Sequence, residues 1–189
     1  MVLVTLASLC VTLVSFTRFL VEVEDRRGVL FADPIHALLG PFNLTWPIFV
    51  VLYGALLIAV VTMGRMPMVL FKALRAYTLL VALRLICMWL LPLDPPGGMI
   101  VLHDPFVELF TTGSAHPLTR DLFFSGHTSI LCMVAFVIPQ RNLKLLFSAL
   151  ALFVGVAVVL QHVHYTIDVV VAPLAAWAAV TMSGARNAA

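Results

Sequence analysis

Six long apolar runs decide what this chain can fold into. They cover residues 2–21, 46–63, 68–91, 122–138, 143–160 and 165–182. The hydrocarbon core of a bilayer is about 30 Å thick, and a helix rising 1.5 Å per residue needs about 17–25 residues to cross it. Inside that core every backbone N–H and C=O must find its partner within the protein, which makes such runs helical. Composition agrees: 62% of the residues are hydrophobic and 11% charged, against about 45–50% and about 25% in an ordinary soluble domain. The expectation is an all-α integral membrane protein, with residues 1–189 forming a single domain of six transmembrane helices. No internal repeat, low-complexity tract or second domain interrupts it.

The first run could be mistaken for a signal peptide, but it has no basic start, and no small-residue cleavage site precedes Glu22. The connections carry the charges and the helix breakers. Residues 22–45 hold five acidic or basic groups up to Arg27, then Asp33, Pro34 and Pro41; a short interfacial helix is expected around residues 35–39. Residues 92–120 are the longest polar connection, where His103, Asp104 and Pro105 read as the cap of a short helix reaching Phe110. Arg84 lies about 16 residues into the third run, roughly 24 Å along its axis, which puts it near the far surface. The basic residues sort by side. Arg65, Lys72, Arg75, Arg141, Lys144 and Arg186 fall on one; Arg26, Arg27 and Arg120 fall on the other. Positive charge collects on the cytoplasmic side, so both termini are expected there, and the connections ahead of residues 122 and 165 are expected outside.

Two short stretches at that external end carry chemistry. Asp121 to Thr128 reads D-L-F-F-S-G-H-T, and His164 to Asp168 reads H-Y-T-I-D. His164 and Asp168, four apart, share one face of a helix. The carboxylate can hold one ring nitrogen and leave the other free to react. Asp168 also stands inside an apolar run, where an unpartnered carboxylate is expensive, and His164 is the partner in reach. A second histidine, His127, would supply a separate general acid. Ser125 is placed to cap a helix start, Gly126 to let a ligand approach the backbone, and the free amides of that start suit a phosphate. Taken singly, the first stretch reads as well as an interfacial turn with an incidental histidine, and the second as an ion pair at a helix start.

Other classes fit less well. A metal hydrolase using His162, His164, Asp168 and His103 or Asp104 would need two histidines two apart to face together, as they do on a strand and not on a helix. A scaffold or transporter would leave the two stretches unused. A net charge of +2 without a basic run excludes nucleic acid as a partner. Cys10, Cys87 and Cys132 all fall in apolar segments and read as small buried hydrophobes. His36, His103 and His116 read as solvated loop residues. Phe123, Phe124 and Tyr165 read as interfacial rings flanking the site, one of them able to meet a quaternary ammonium.

The pattern D-x-x-x-S-G-H-T followed by H-Y-T-x-D-V-V-x-A resembles the sphingomyelin synthase family. That family is a branch of the lipid phosphatase/phosphotransferase superfamily whose other large branch is the type-2 phosphatidic acid phosphatases. The likeness covers residues 121–128 and 164–172. It departs at Thr119-Arg120, where the family has Cys-Gly, and at Pro173-Leu174, where it has a tyrosine-aromatic pair. The resemblance implies His164 as nucleophile, Asp168 orienting it and His127 protonating the leaving oxygen. Arg84, Asp121, Ser125, Gly126 and Tyr165 are the expected substrate-binding residues, with no metal and no cofactor. The implied reaction moves a phosphocholine-like headgroup from a glycerophospholipid, through a phosphohistidine, to a lipid hydroxyl, releasing diacylglycerol. The alternatives are a type-2 phosphatidic acid phosphatase-like enzyme and a phospholipase C-like hydrolase with water as acceptor. Charge favours a diester donor: a phosphomonoester carries about −1.5 to −2, and only Arg84 and Arg120 lie near the external motifs. The implied partners are a membrane phospholipid donor and a lipid or water acceptor.

Overall fold

The computed structural model describes residues 2–102 and 118–185, and within them the chain is helical. Seven helices follow one another: α1 Val2–Glu24, α2 Pro34–Leu38, α3 Thr45–Gly64, α4 Pro67–Leu90, α5 Gly126–Val137, α6 Arg141–Leu160 and α7 Thr166–Met182. The helix expected to reach Phe110, and His103, Asp104 and His116 with it, lie outside the described residues. Local chemistry sets the ends. Asp33 caps α2 by accepting from the Ile35 amide, with Pro34 in the first turn where no N–H is needed. Ser125 caps α5, and α5 stops before Pro139, which restricts the residue ahead of it and cannot continue a helix.

Four of these helices are long and apolar enough to cross a membrane: α1, α3, α4 and α6. The fourth and sixth expected spans are occupied by shorter apolar helices, α5 with 12 residues and α7 with 17, or about 18 and 26 Å. Residues 122–125, which read in sequence as the start of the fourth span, are not helical. Their apolar side chains are spent on burial instead: Leu122 and Phe124 are 2% and 1% exposed.

Helices α5, α6 and α7 pack on one another, α4 lies against α5 and α7, and α3 closes the group against α4, α5 and α6. Small residues allow the close approach. On α7 these are Ala172, Ala175, Ala176 and Ala179, all buried. On α6, Gly155 is pressed so close to α7 that a Cβ would stand 2.8 Å from Val169 Cγ1. Helix α1 packs on α4, where Leu20 and Val23 meet Met88, its last residue Glu24 binds the backbone at Thr119 and Arg120, and much of its remaining surface is apolar and exposed. At one end of the bundle the connections knit together. Val29 and Leu93 form a parallel bridge, and Gly28 lies against the Leu93 backbone so tightly that a Cβ would fall 2.3 Å from its carbonyl carbon.

Candidate active site

The two motifs meet at that knitted end. The starts of α5 and α7 are joined directly, the Ser125 amide donating to the Asp168 carbonyl at 3.1 Å. This junction sets His127, the second residue of α5, beside His164, two residues ahead of α7; their ring centroids are 6.4 Å apart and the rings are inclined by 64°. His164 is 1% exposed and Asp168 wholly buried. Nδ1 of His164 lies 3.3 Å from Asp168 Oδ2, which also accepts from the Tyr165 amide at 3.1 Å. With Nδ1 held by the carboxylate, Nε2 is the nitrogen left for chemistry. Burial pushes the His164 pKa below its ordinary value, and Asp168 opposes that shift without cancelling it. A neutral imidazole with one nitrogen donating to a carboxylate is a competent nucleophile or base near neutral pH.

Arg84 comes from α4 and is 9% exposed. Its Nη2 donates to Asp121 Oδ1 at 2.7 Å and to the Asp121 carbonyl at 3.2 Å. The ring of Phe16 on α1 lies under the guanidinium at 5.7 Å, a cation–π contact. Nη1 is pressed onto Gly126: a Cβ at that position would sit 1.6 Å from it. Glycine is therefore required at the start of α5 by space, and the group that uses the space is the protein's own arginine. A guanidinium against a helix N-terminus, within the electrostatic reach of His164, is an arrangement able to receive an anion.

Other expected site residues take different places. Tyr165 is fully buried; its hydroxyl donates to the Asp94 carbonyl at 2.8 Å and accepts from the Phe31 amide at 3.3 Å. It is a post between connections, and Phe124 is buried as well. Of the three rings expected to flank the site, Phe123 keeps partial exposure. Ser125 is buried, its Oγ accepting from the Thr128 amide and lying 3.1 Å from the Thr128 hydroxyl. Arg120 is tied down: Nε donates to Asp94 at 3.0 Å and Nη1 to the Glu24 carbonyl at 2.6 Å. The Glu24 carboxylate accepts from the Thr119 and Arg120 amides and from the Thr119 hydroxyl.

Two groups were not anticipated. Asp33 is 7% exposed and takes the Thr166 amide at 2.6 Å and the Thr166 hydroxyl at 3.0 Å, so the N-cap of α2 also clamps the first residue of α7. Burial raises its pKa, but the bonds from Thr166 and Ile35 outweigh that and hold the carboxyl below its ordinary value. His162 has φ +59°, and its ring nitrogens face the carbonyls of Leu39 and Gly97 at 2.9 and 3.0 Å. Its ring stacks on His36 at 4.1 Å, so His36 is half-buried rather than solvated, and His162 is a staple between connections. An acidic residue ahead of Pro34 was the one sequence signal for Asp33, and it pointed to a cap alone.

The architecture is that of a helical protein with a buried histidine–carboxylate pair, a second histidine and an arginine gathered at two helix starts. The family model described as "PAP2 superfamily C-terminal" matches residues 120–183, the part that holds both motifs. This match supports the lipid phosphatase/phosphotransferase superfamily related to type-2 phosphatidic acid phosphatases, whose members are generally enzymes, without separating its branches. Together with the apolar helices it points to an integral membrane protein. No curated protein and no solved structure matches the chain.

Proposed function

We propose that this protein is a six-span membrane lipid phosphotransferase with its site facing outside. It takes a phospho-alcohol headgroup of the phosphocholine type from a glycerophospholipid onto His164, releases diacylglycerol, and passes the group to a second lipid hydroxyl. The observation that carries the reading is the buried His164–Asp168 pair facing His127 beside a guanidinium-filled helix start. His164 Nε2 attacks phosphorus, and the P–O bond to diacylglycerol breaks. His127 gives its proton to the departing oxygen and then takes one from the incoming alcohol, whose oxygen attacks phosphorus as the P–Nε2 bond to His164 breaks. The Asp168 carboxylate stabilises the positive charge on the phosphorylated ring. Asp121 sets the charge balance of Arg84, and Ser125 and Gly126 shape the phosphate seat.

Charge supports a diester donor. Arg84 is already paired with Asp121, and Arg120 with Asp94. Two neutralised cations suit a phosphate carrying one negative charge better than a monoester carrying about −1.5 to −2. A second reading, a type-2 phosphatidic acid phosphatase-like hydrolase with water as acceptor, is equally compatible with the family match; phospholipase C-like cleavage is the same chemistry on the diester. The test is the purified protein with phosphatidic acid and phosphatidylcholine of equal chain length in the same micelles, products resolved by mass spectrometry. Faster turnover of the diester, with an acid-labile phosphoprotein that His164→Ala abolishes, is expected. Clearly faster cleavage of phosphatidic acid replaces the first reading by the second; labelled phosphate remaining on His164→Ala protein removes both.

A further inference from the structure

The bundle also holds an apolar concavity apart from the histidines. It has a volume of about 560 Å³ and lies between α5, α6 and α7, with α2 as its roof. None of Arg84, His127, His164 and Asp168 lines it. We propose that this groove holds one acyl chain of a resident bilayer phospholipid, a lipid other than the one that reacts.

Three features select that occupant. The first is chemistry. No charged side chain lines the groove. Its two threonine hydroxyls are engaged, Thr128 lying 3.1 Å from Ser125 Oγ and Thr166 donating to Asp33 at 3.0 Å, and the remaining hydroxyl, Ser148, is exposed. A polar or charged ligand would lose its water there and gain nothing in return, whereas an alkyl chain needs only apolar contact. The second is length. The wall on α6 runs from Leu160 to Ser148, twelve residues or about 18 Å, close to the roughly 15 Å depth of one leaflet's hydrocarbon. The third is continuity with the lipid-facing surface. Phe136, Leu152, Val156 and Val170 form its open side, and all four are large, apolar and exposed. A chain of the surrounding bilayer can enter sideways without crossing a polar barrier.

The roof links the groove to the catalytic turn. Ile35 and Leu39 cover the upper end, and the same short segment is bound to the α6–α7 connection at both its ends. Asp33 holds Thr166 and the Leu39 carbonyl meets His162. A chain beneath Ile35 and Leu39 fills the space under a strap that is anchored two residues from His164.

Photolabelling tests the occupant without relying on any enzymatic activity, so its failure and the failure of the proposed reaction are separate results. The protein, carrying His164→Ala so that the probe is not consumed by the proposed reaction, is reconstituted with a phosphatidylcholine bearing a mid-chain diazirine, extracted and washed in detergent to strip bulk lipid, irradiated and mapped by mass spectrometry. Adducts are expected at Cys132, Phe136 and Leu152. Few are expected at Val11 and Val14 of α1, which are equally apolar and exposed but lie outside this groove. Cys132→Trp and Leu152→Trp, which fill the groove, should each lower labelling there severalfold. Equal labelling of α1 and the groove, no adduct in the groove, or Trp variants that elute as wild type yet label unchanged would each overturn the proposal.

Discussion

Replacing Gly126 by alanine adds one methyl group and removes no functional atom, yet it should nearly silence the enzyme. The new Cβ would stand 1.6 Å from Arg84 Nη1 and 2.7 Å from Cζ. Carbon-to-heavy-atom contacts settle at about 3.5–4.0 Å, so the guanidinium must withdraw by about 2 Å. A misplacement of about 1 Å in a catalytic arrangement can cost about 10²-fold, and losing one preorganised charge-stabilising donor costs about 10²–10³-fold. The expected fall in kcat/KM of Gly126→Ala is therefore about 10²–10³-fold. Folding should not explain it, because alanine is the better helix former by up to about 1 kcal/mol. Arg84→Ala should cost a similar factor, and the double variant should be no worse than either alone, because both remove one interaction. The assay is release of diacylglycerol from a labelled phosphatidylcholine in mixed micelles, with thermal unfolding measured alongside. If Gly126→Ala works within about threefold of wild type, or if the two losses multiply, the guanidinium does not act from the start of α5.

The pH profile should follow His164. Its burial lowers its pKa, and the neutral form is the nucleophile, so the acid limb of kcat/KM should fall below the ordinary histidine value of about 6.5; a limb at or above that value contradicts the burial. Asp121→Asn should release Arg84 from its pair and shift selectivity towards the more highly charged phosphate. Two unit charges 4 Å apart interact by about 4 kcal/mol at an effective dielectric constant of 20. Because the Asp121 side chain is 25% exposed, about a third of that survives, roughly a tenfold rise in the ratio of phosphatidic acid to phosphatidylcholine turnover. An unchanged or falling ratio sinks the charge argument. In a background with Cys10, Cys87 and Cys132 changed to serine, Gly97→Cys should react with an impermeant maleimide in intact cells, and Asn142→Cys should not. The reverse pattern puts the site on the cytoplasmic side.

What could be read from residues in order was whatever depends on neighbours in order. The length of the apolar runs marked the helices, and the four-residue step from His164 to Asp168 marked their pairing. A serine ahead of Gly-His-Thr marked the start of α5. What could not be read depends on which connection meets which. Glu24, Asp33 and Asp94 look alike as loop carboxylates. Yet Asp33 clamps Thr166, 133 positions away, while Asp94 neutralises Arg120 and Glu24 binds the backbone leading into the first motif. Tyr165 carries no sequence mark separating a buried post from an interfacial ring. The start of the fourth apolar run misled for a physical reason: Leu122 and Phe124 are apolar because they are buried at the seam, not because they continue a helix.

Two helix starts converge on the histidines, and their electrostatics differ. Both bring positive dipole ends to one place. At α7 that end is already answered by carboxylates, Asp33 on the Thr166 amide and Asp168 within the first turn. At α5 the cap is the neutral Ser125, and a guanidinium lies against the first residue. An arriving anion therefore meets opposing negative charge at α7, and at α5 the positive dipole end beside the Arg84–Asp121 pair, so the proposed phosphate belongs over Gly126 and His127. That leaves His164 to approach from the α7 side, its far nitrogen held by Asp168, with His127 at the other face of the same phosphate. In the proposed reaction, the division of labour between the two histidines then follows from which helix start carries the carboxylates.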